Sequence, residues 1–314
     1  MRFDSRGLVS TYLSQWMPTG DATPQSVAGY FAGGESSGFT TRIDRLAFPA
    51  ETLTISTATL SVGRDRLAGF SNPSVAGYLG GGFSGANSSV IDKVAFPVET
   101  RTTLSATLTT ARYGIGGMSN SGVAGYFGGG YDGSFLNGID KIAFPADTKT
   151  TLSATLSSVA NAATGMSNYG VAGYVGGGSN SGGTLNSVDK IVFPAETRTT
   201  LSATLTNYVF YSAGFANSGV AGYFAGGEDV SAYNTIDKIS FPADTKTTLG
   251  AVLTSAVYRP SGMANIGVAG YVGGGGSVSR IDRISFPSDT KTTLTATLTA
   301  NTYYLSAMAD SVQS

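Results

Sequence analysis

Short runs of apolar and small residues alternate with polar turns along almost the whole chain. In one unit, residues 112–120, 123–127, 139–144 and 150–156 form four such runs. They are separated by a Ser-Asn-Ser-Gly turn, a glycine-rich loop and a turn that begins at Pro145. Runs of this kind, bounded by Gly, Asn, Asp and Pro, predict strands, which we name a, b, c and d in chain order. No long stretch has the 3.6-residue spacing of an amphipathic helix, so the sequence predicts an all-β chain.

This four-strand unit recurs six times. Its clearest marker is an Asp followed by Lys or Arg, with Phe-Pro shortly after, and the successive markers lie 48, 48, 49, 48 and 45 residues apart. The marker Asp residues are Asp44, Asp92, Asp140, Asp189, Asp237 and Asp282. One such unit cannot bury both of its faces alone, whereas a closed ring of units can. We therefore predict a six-bladed β-propeller with four-stranded blades over residues 27–314, preceded by an attachment segment, residues 1–26.

The way in which the ring closes follows from an incomplete repeat. Residues 303–310 resemble strand a, and Met308 occupies the place that Met118 has in its own repeat, but no strand b follows them. We predict that these residues form the inner strand of the first blade and close the ring, because closure removes open sheet edges. The alternative is that residues 12–17 supply this strand.

Composition excludes several classes of function. The chain has no Cys and no His, which removes thiolate chemistry, disulfides and the commonest general base and metal ligand. The net charge is −1 without blocks of like charge, so we expect no nucleic-acid binding. No apolar stretch is long enough to span a membrane, so we expect no membrane insertion.

The motifs that could carry chemistry have structural interpretations. Glycines at positions 80, 82 and 85 match a dinucleotide fingerprint, but that site needs a following helix, and we predict no cofactor. The six marker Asp residues lie on separate blades, so we predict no metal site and expect each to accept hydrogen bonds from nearby turns. We expect the Lys or Arg that follows each marker Asp to pair with the turn acid seven positions after that Asp. Lys93, which follows Asp92, would thus pair with Glu99. Glu228-Asp229 is interpreted as a solvated loop. We predict no catalytic residues and no enzyme activity.

An apolar run beginning with Tyr, closed by a double Gly and followed by Asp, a turn and a last strand, resembles the kelch repeat. The chain departs from that pattern in strand d, where Leu stands in place of the Trp common in the family. A longer phrase consists of Ala-Arg-Tyr-Gly at residues 111–114, Gly-Tyr-Phe-Gly-Gly-Gly at residues 125–130 and Ile-Asp-Lys-Ile-Ala-Phe at residues 139–144. In this phrase the chain more closely resembles the kelch-like repeats of phage tail-fibre and other virion structural proteins, particularly of phages that infect cyanobacteria. This resemblance implies a virion component made in the host cytoplasm, with other virion proteins or a host surface glycan as partners. The alternatives are a purely structural spacer without a ligand and, remotely, a glycosidase-like enzyme.

The six copies differ most in two places, the b–c loops and the d–a connections, whereas the a–b and c–d turns barely change. The two variable places lie on the same face of an antiparallel blade, so the variation falls on one face of the ring. Aromatic residues and Arg are favoured at recognition surfaces. The predicted ligand- or partner-binding residues are Phe39, Phe83, Tyr131, Phe135, Tyr211, Tyr233, Tyr258 and Arg259. Relaxed drift of an unused face is the alternative. The predicted attachment residues are Leu8, Tyr12, Leu13, Trp16 and Met17, with packing onto the ring itself as the alternative.

Overall fold

The computed structural model describes residues 28–311, and this part of the chain is entirely β-structure. It contains six four-stranded antiparallel sheets, each in the order a-b-c-d, together with one two-stranded hairpin in a loop. The inner strands of successive sheets are neighbours, and the sixth inner strand contacts the first, so the sheets form a closed ring. The prediction of a six-bladed β-propeller is confirmed.

Each of the four strand positions has its own burial pattern. Strand b is buried throughout, whereas strand d is almost entirely exposed at the outer edge. The a strands are Ser306–Asp310 in blade 1, then Ala68–Asn72, Gly116–Asn120, Thr164–Asn168, Ala213–Asn217 and Ser261–Asn265. The b strands are Ala28–Ala32, Ala76–Gly80, Ala124–Gly128, Ala172–Gly176, Ala221–Ala225 and Ala269–Gly273. The c strands are Ile43–Ala47, Ile91–Ala95, Ile139–Ala143, Val188–Val192, Ile236–Ser240 and Ile281–Ser285. The d strands are Thr52–Ile55, Thr100–Thr103, Thr148–Thr151, Thr197–Thr200, Thr245–Thr248 and Lys291–Thr293. Blade 4 adds the loop hairpin of Ser179–Asn180 and Gly183–Thr184.

The sequence-based boundaries of strand d are wrong. In blade 3 the strand covers Thr148–Thr151 rather than residues 150–156. Its partner strand c ends at the Phe144-Pro145 bond, which is cis, as are the other five Phe-Pro bonds. A hydrogen bond from the Asp147 N–H to the Ala143 carbonyl at 2.8 Å closes the turn, and strand d pairs from Thr148 onward. Leu156 leaves the sheet and becomes a buried core residue of the blade.

The C-terminal strand closes the ring, as predicted. Ser306–Asp310 pairs antiparallel with Ala28–Ala32, with Met308 opposite Tyr30. Asp310 then contacts the next blade, because its Oδ1 accepts a hydrogen bond from the Ser74 backbone N–H at 2.8 Å. Asn72 in blade 2 has the same role toward Gly122 in blade 3. The first blade therefore joins residues from both ends of the described chain.

Small residues line the axis because the inner strands lie in backbone contact. A Cβ placed on Gly117 would lie 2.4 Å from the carbonyl oxygen of Gly69, and one on Gly165 would lie 2.0 Å from that of Gly117. Both distances are shorter than any real contact, so a side chain at these positions would push neighbouring blades apart. Gly214 and Gly262 continue the series, and Ala307 holds the equivalent place in blade 1. We call these six residues the axial ring.

Neighbouring blades are also joined by a repeated contact that we call the blade clamp. In blade 2, the Tyr78 hydroxyl donates to Asp147 of blade 3 at 2.7 Å, and Lys93 Nζ lies 2.6 Å from the same carboxylate. The Tyr78 ring stacks on Phe144 of blade 3, with centroids 5.0 Å apart. The clamp occurs at every boundary, with the acids Glu99, Asp147, Glu196, Asp244, Asp289 and Glu51.

The clamp corrects the predicted ion pairs. Lys93 was expected to meet Glu99 in its own blade, yet it reaches Asp147 in the next blade. The reason lies in strand geometry. Successive side chains of a strand point to opposite faces of the sheet, and Lys93 lies on the face of strand c that meets the next blade. The turn acid follows the cis Phe-Pro bond and has positive φ, 55° at Asp147, which aims its carboxylate back at the preceding blade. The ion pairs therefore hold the ring together rather than each blade.

The marker Asp residues act as predicted, as acceptors that fix geometry. Asp140 accepts hydrogen bonds from the N–H and hydroxyl of Thr109 in the preceding blade, at 2.8 and 2.6 Å. It also accepts one from Thr151 in its own strand d, at 2.8 Å. These bonds, together with Arg112, hold the pKa of the Asp140 carboxyl below its ordinary value against the opposing effect of burial. The other five marker Asp residues accept from the equivalent Ser or Thr of the preceding blade.

Removing the closing strand provides the first test of the fold. We expect deletion of residues 301–314 to expose the edge of strand b in blade 1, which invites edge-to-edge association. Solubility should fall sharply and the melting transition should broaden or shift downward, as followed by size-exclusion chromatography and circular dichroism. A truncated chain that remains monomeric with unchanged melting would show that ring closure does not depend on this strand.

The blade clamp is tested at Asp147. Asp147→Ala leaves the buried Tyr78 hydroxyl and the Lys93 ammonium without their acceptor, and we expect a loss of about 1–3 kcal/mol in unfolding free energy. Asp147→Asn keeps an acceptor for Tyr78 and should cost less. Asp132→Ala, at an exposed loop position, is the control. Denaturant unfolding measures all three, and equal stability of Asp147→Ala and the control would contradict the clamp.

Candidate functional site

The b–c loops and the d–a connections share one face of the ring, which we call the loop face. At five of the six boundaries the d–a connection pairs with the start of the next b–c loop through isolated bridges, such as Tyr113 with Tyr131 and Asp65 with Phe83. At the sixth, the Gly276 N–H donates to the Tyr258 carbonyl at 2.7 Å. The prediction that the b–c loops and the d–a connections lie on the same face is therefore confirmed. The a–b and c–d turns form the opposite face, which we call the turn face.

Five aromatic side chains form a continuous row across blades 1 to 3 of the loop face. Successive ring centroids, in the order Phe39, Phe83, Tyr113, Tyr131 and Phe135, lie 5.8, 5.8, 5.7 and 5.1 Å apart. Three of these contacts are edge-to-face and the one between Tyr113 and Tyr131 is tilted; edge-to-face packing is a favoured arrangement of aromatic pairs. Phe39 is 39% exposed and the others are half-buried. We call these residues the aromatic row.

The structure brings four of the predicted residues together in this row. Phe39, Phe83, Tyr131 and Phe135 come from three separate loops, and Tyr113 connects them. Tyr113 was not among the predicted residues, although it lies in a d–a connection that varies between copies. Tyr113 lies between Phe83 and Tyr131 only because its d–a connection pairs with the loop of blade 3. The sequence does not show this pairing.

Six equivalent residues at the start of strand a surround the axis on the loop face and form the channel mouth. All six have positive φ, between 51° and 65°. In ring order they are Tyr304, Arg66, Gly114, Ala162, Tyr211 and Arg259. Backbone hydrogen bonds join five of the six successive pairs, as from Gly114 N–H to the Arg66 carbonyl at 2.9 Å. Tyr211 and Arg259 were predicted site residues, whereas Arg66 and Tyr304 were missed.

Large side chains cover one side of the channel mouth. The Arg66 and Arg259 guanidinium groups lie 4.3 and 4.4 Å from the centre of the Tyr304 ring. The Tyr211 ring meets Tyr304 edge-on at 4.8 Å. Gly114 and Ala162 leave the other side open. Beneath lies a cavity of about 100 Å³, room for a few water molecules or one small group.

Arg66 connects the channel mouth to the aromatic row. Besides Tyr304, its guanidinium lies 5.3 Å from the centre of the Tyr113 ring and 5.6 Å from that of Phe83. These are cation–π distances. Its charge is balanced by Asp65, whose Oδ2 lies 3.6 Å away. Asp65 is fully buried and neither carboxyl oxygen has a hydrogen-bond partner among the described residues. Burial raises the pKa of the Asp65 carboxyl to about 6, although Arg66 opposes the shift.

The remaining predicted residues have different environments. Tyr258 is 43% exposed at the rim of the channel mouth. Tyr233 is half-buried, like Tyr131, and packs against a hydrophobic cluster of blades 4 and 5, away from the aromatic row. Glu228 is buried and forms a short ion pair with Arg259, so the interpretation of Glu228-Asp229 as a solvated loop is wrong for Glu228. The pairing of Phe210 with Glu228 draws that side chain inward.

Several predictions concern residues or groups that the described structure does not contain. The attachment residues Leu8, Tyr12, Leu13, Trp16 and Met17 lie outside residues 28–311. Between residues 28 and 311, no group of three or more acidic side chains is placed to hold a metal ion. Within the same range there is no long apolar helix that could cross a membrane.

Comparison with known proteins adds no relative. No protein-family profile matches the chain, and no curated protein matches it either. The resemblance to kelch-like repeats of phage virion proteins therefore stays a prediction.

The buried carboxyl of Asp65 makes stability depend on pH. Its folded pKa of about 6 exceeds its ordinary value of 3.8, so the folded state binds a proton that the unfolded state releases between these values. The resulting penalty is absent below about pH 4 and complete above about pH 7. We expect Asp65→Asn to stabilise the protein at pH 7.5 by about 1–3 kcal/mol and to have little effect at pH 4, as measured by denaturant unfolding. A gain that is equal at both pH values, or absent at both, would contradict this account. Asp132→Asn is the control.

Proposed function

We propose that the protein is a non-enzymatic recognition component of a phage virion, displayed on a tail, fibre or capsid, that binds through its loop face. The observation that carries the proposal is the aromatic row. Five aromatic rings from three blades lie in contact on the face where the copies differ. Relaxed drift would fill such loops with small polar residues more readily than with a contiguous set of rings. Clustered Tyr and Phe are typical of recognition surfaces.

The course of the chain supports different roles for the two faces, with attachment on the turn face and recognition on the loop face. Strand b of blade 1 begins at Ala28, opposite Asp310, and both residues lie at the turn face. The described part of the chain therefore starts and ends on the side opposite the aromatic row. An attachment through residues 1–26 would leave the loop face directed away from the particle. The turn face also varies little between copies, as we would expect of a surface that attaches to another virion protein.

The virion assignment rests on the sequence resemblance, and the non-enzymatic assignment rests on the side chains. The phrase Gly-Tyr-Phe-Gly-Gly-Gly at residues 125–130, followed by Ile-Asp-Lys-Ile at residues 139–142, supports the first. The absence of His and Cys from the whole sequence supports the second. The chain also lacks the Asp boxes that glycosidases with six-bladed rings share. A spacer without a ligand is the competing function, and the experiment below separates the two.

The proposed function is tested by removing two rings of the aromatic row. We expect Tyr131→Ser with Phe135→Ser to reduce adsorption to host cells, or assembly with the neighbouring virion protein, by about tenfold or more. The loss of two anchoring rings at an interface commonly costs at least 1.4 kcal/mol, which corresponds to that factor. Adsorption and co-assembly assays measure the effect, after thermal melting has shown that the variant folds.

Val123 provides the matched control. It lies in the same blade, is 49% exposed and belongs to the turn face. Val123→Ser should leave adsorption unchanged. If the double variant behaves like wild type in both assays, or if only turn-face substitutions have an effect, the loop face is not the recognition surface and the spacer function is favoured.

A further inference from the structure

The arginines of the loop face are all neutralised by carboxylates of this chain. Arg66 pairs with Asp65 at 3.6 Å, Arg280 with Asp282 at 3.5 Å, and Arg259 with Glu228. Arg42, at the end of the blade 1 loop, pairs with Asp44 at 3.1 Å. The lysines of the chain all lie in strands c and d, away from the loop face. The described loop face therefore offers no uncommitted cation to an anionic ligand.

Three carboxylates of the same face form no ion pair within 4.0 Å with an Arg or Lys of residues 28–311, although Asp132 lies near enough to Arg112 to favour the charged form of that guanidinium. They are Glu35 in blade 1, Asp132 in blade 3 and Asp229 in blade 5. Asp132 is exposed and accepts a hydrogen bond from the Ser134 N–H at 3.0 Å, and Asp229 accepts one from the Thr184 hydroxyl at 2.6 Å. Each keeps further lone pairs for other donors. The uncompensated charge of the loop face is thus negative.

Two of these carboxylates stand at opposite ends of the aromatic row. Glu35 bridges to Phe39, the first ring, across the blade 1 loop. Asp132 follows Tyr131 and lies within the loop that brings Tyr131 and Phe135 together. A ligand laid along the row would therefore meet apolar ring faces in the middle and hydrogen-bond acceptors at both ends.

We propose that the aromatic row binds an uncharged, hydroxyl-rich glycan. This inference rests on the proposed function and names the class of its ligand. The apolar C–H faces of neutral sugar rings can pack on aromatic faces, and their hydroxyl groups donate to carboxylates. Phosphorylated, sulfated or uronic-acid polymers would bring their charge against Glu35 and Asp132 without a free Arg or Lys to offset it. Like charges brought together at an interface oppose binding, which provides selectivity against them.

A basic protein segment is the other occupant that the charge allows. The row favours a glycan over such a segment because its ends hold only two separated carboxylates, whereas the centre consists of rings.

Affinity electrophoresis of the purified full-length protein tests the inference. The gels contain dextran, mannan or soluble starch as neutral probes, and alginate or polygalacturonate as anionic probes. We expect retardation by at least one neutral polysaccharide and by neither anionic one. Tyr131→Ser with Phe135→Ser should weaken that retardation by about tenfold or more. Val123→Ser should migrate like wild type in every gel.

Removal of the two carboxylates tests the role of charge separately. Glu35→Gln with Asp132→Asn should weaken binding of the neutral probe several-fold, because amides accept more weakly than carboxylates. The same variant should lose part of its discrimination against alginate. If these substitutions leave both properties unchanged, the carboxylates do not contact or select the ligand.

The outcomes separate this inference from the proposed function. Retardation by the anionic probes alone, or by no polysaccharide while the double Ser variant still loses adsorption or co-assembly, overturns the neutral-glycan ligand and leaves loop-face recognition intact. Binding of a poly-lysine probe to wild type but not to the double Ser variant would assign the row to a basic protein segment instead. Wild-type behaviour of the double Ser variant in electrophoresis, adsorption and co-assembly would overturn both proposals.

Discussion

The ring depends on a contact that no single blade can make. A Tyr hydroxyl and a Lys or Arg from one blade converge on a carboxylate from the next, and a Phe of that next blade stacks on the same Tyr. Such a group combines a charge-assisted hydrogen bond, an ion pair and an aromatic stack around a buried hydroxyl, so loss of any one component leaves the others exposed to water or unpaired. Because the contact is repeated at all six boundaries, the strength of the ring is spread evenly around it.

Much of this architecture was accessible from the sequence. The fixed spacing of the Asp marker predicted six blades, and the incomplete last repeat predicted closure by the C-terminal strand. What failed was the assignment of partners across blade boundaries. Lys93 and Glu99 are close in sequence and have opposite charges, yet the direction in which strand c presents Lys93 sends it to Asp147. Strand d likewise begins earlier than its apolar pattern indicates, because a tight turn closed by the Asp147 N–H and the Ala143 carbonyl follows strand c directly.

The candidate site was predicted less completely, for a related reason. The variable loops identified Phe39, Phe83, Tyr131 and Phe135, but nothing in one linear sequence shows that Tyr113 lies between Phe83 and Tyr131. Arg66 and Tyr304 were missed because their importance comes from their equivalent places around the axis. Tyr233 was included because of its residue type, yet its ring packs against a hydrophobic cluster away from the aromatic row. A surface assembled from six blades can be read only after the blades have been placed beside one another.

The axial ring has a consequence for the size of the propeller. Since backbone touches backbone at Gly69, Gly117 and Gly165, the separation of neighbouring inner strands is as small as the main chain permits. A fixed separation between neighbours sets the circumference of the innermost circle, and the circumference in turn sets how many blades complete it. The missing side chain of glycine, which recurs in five of the six repeats with Ala307 in the sixth, thus helps to set the size of the whole ring. A side chain at Gly117 or Gly165, where the neighbouring backbone leaves no room for a Cβ, would not merely strain one contact but would call for a wider circle than six blades can close.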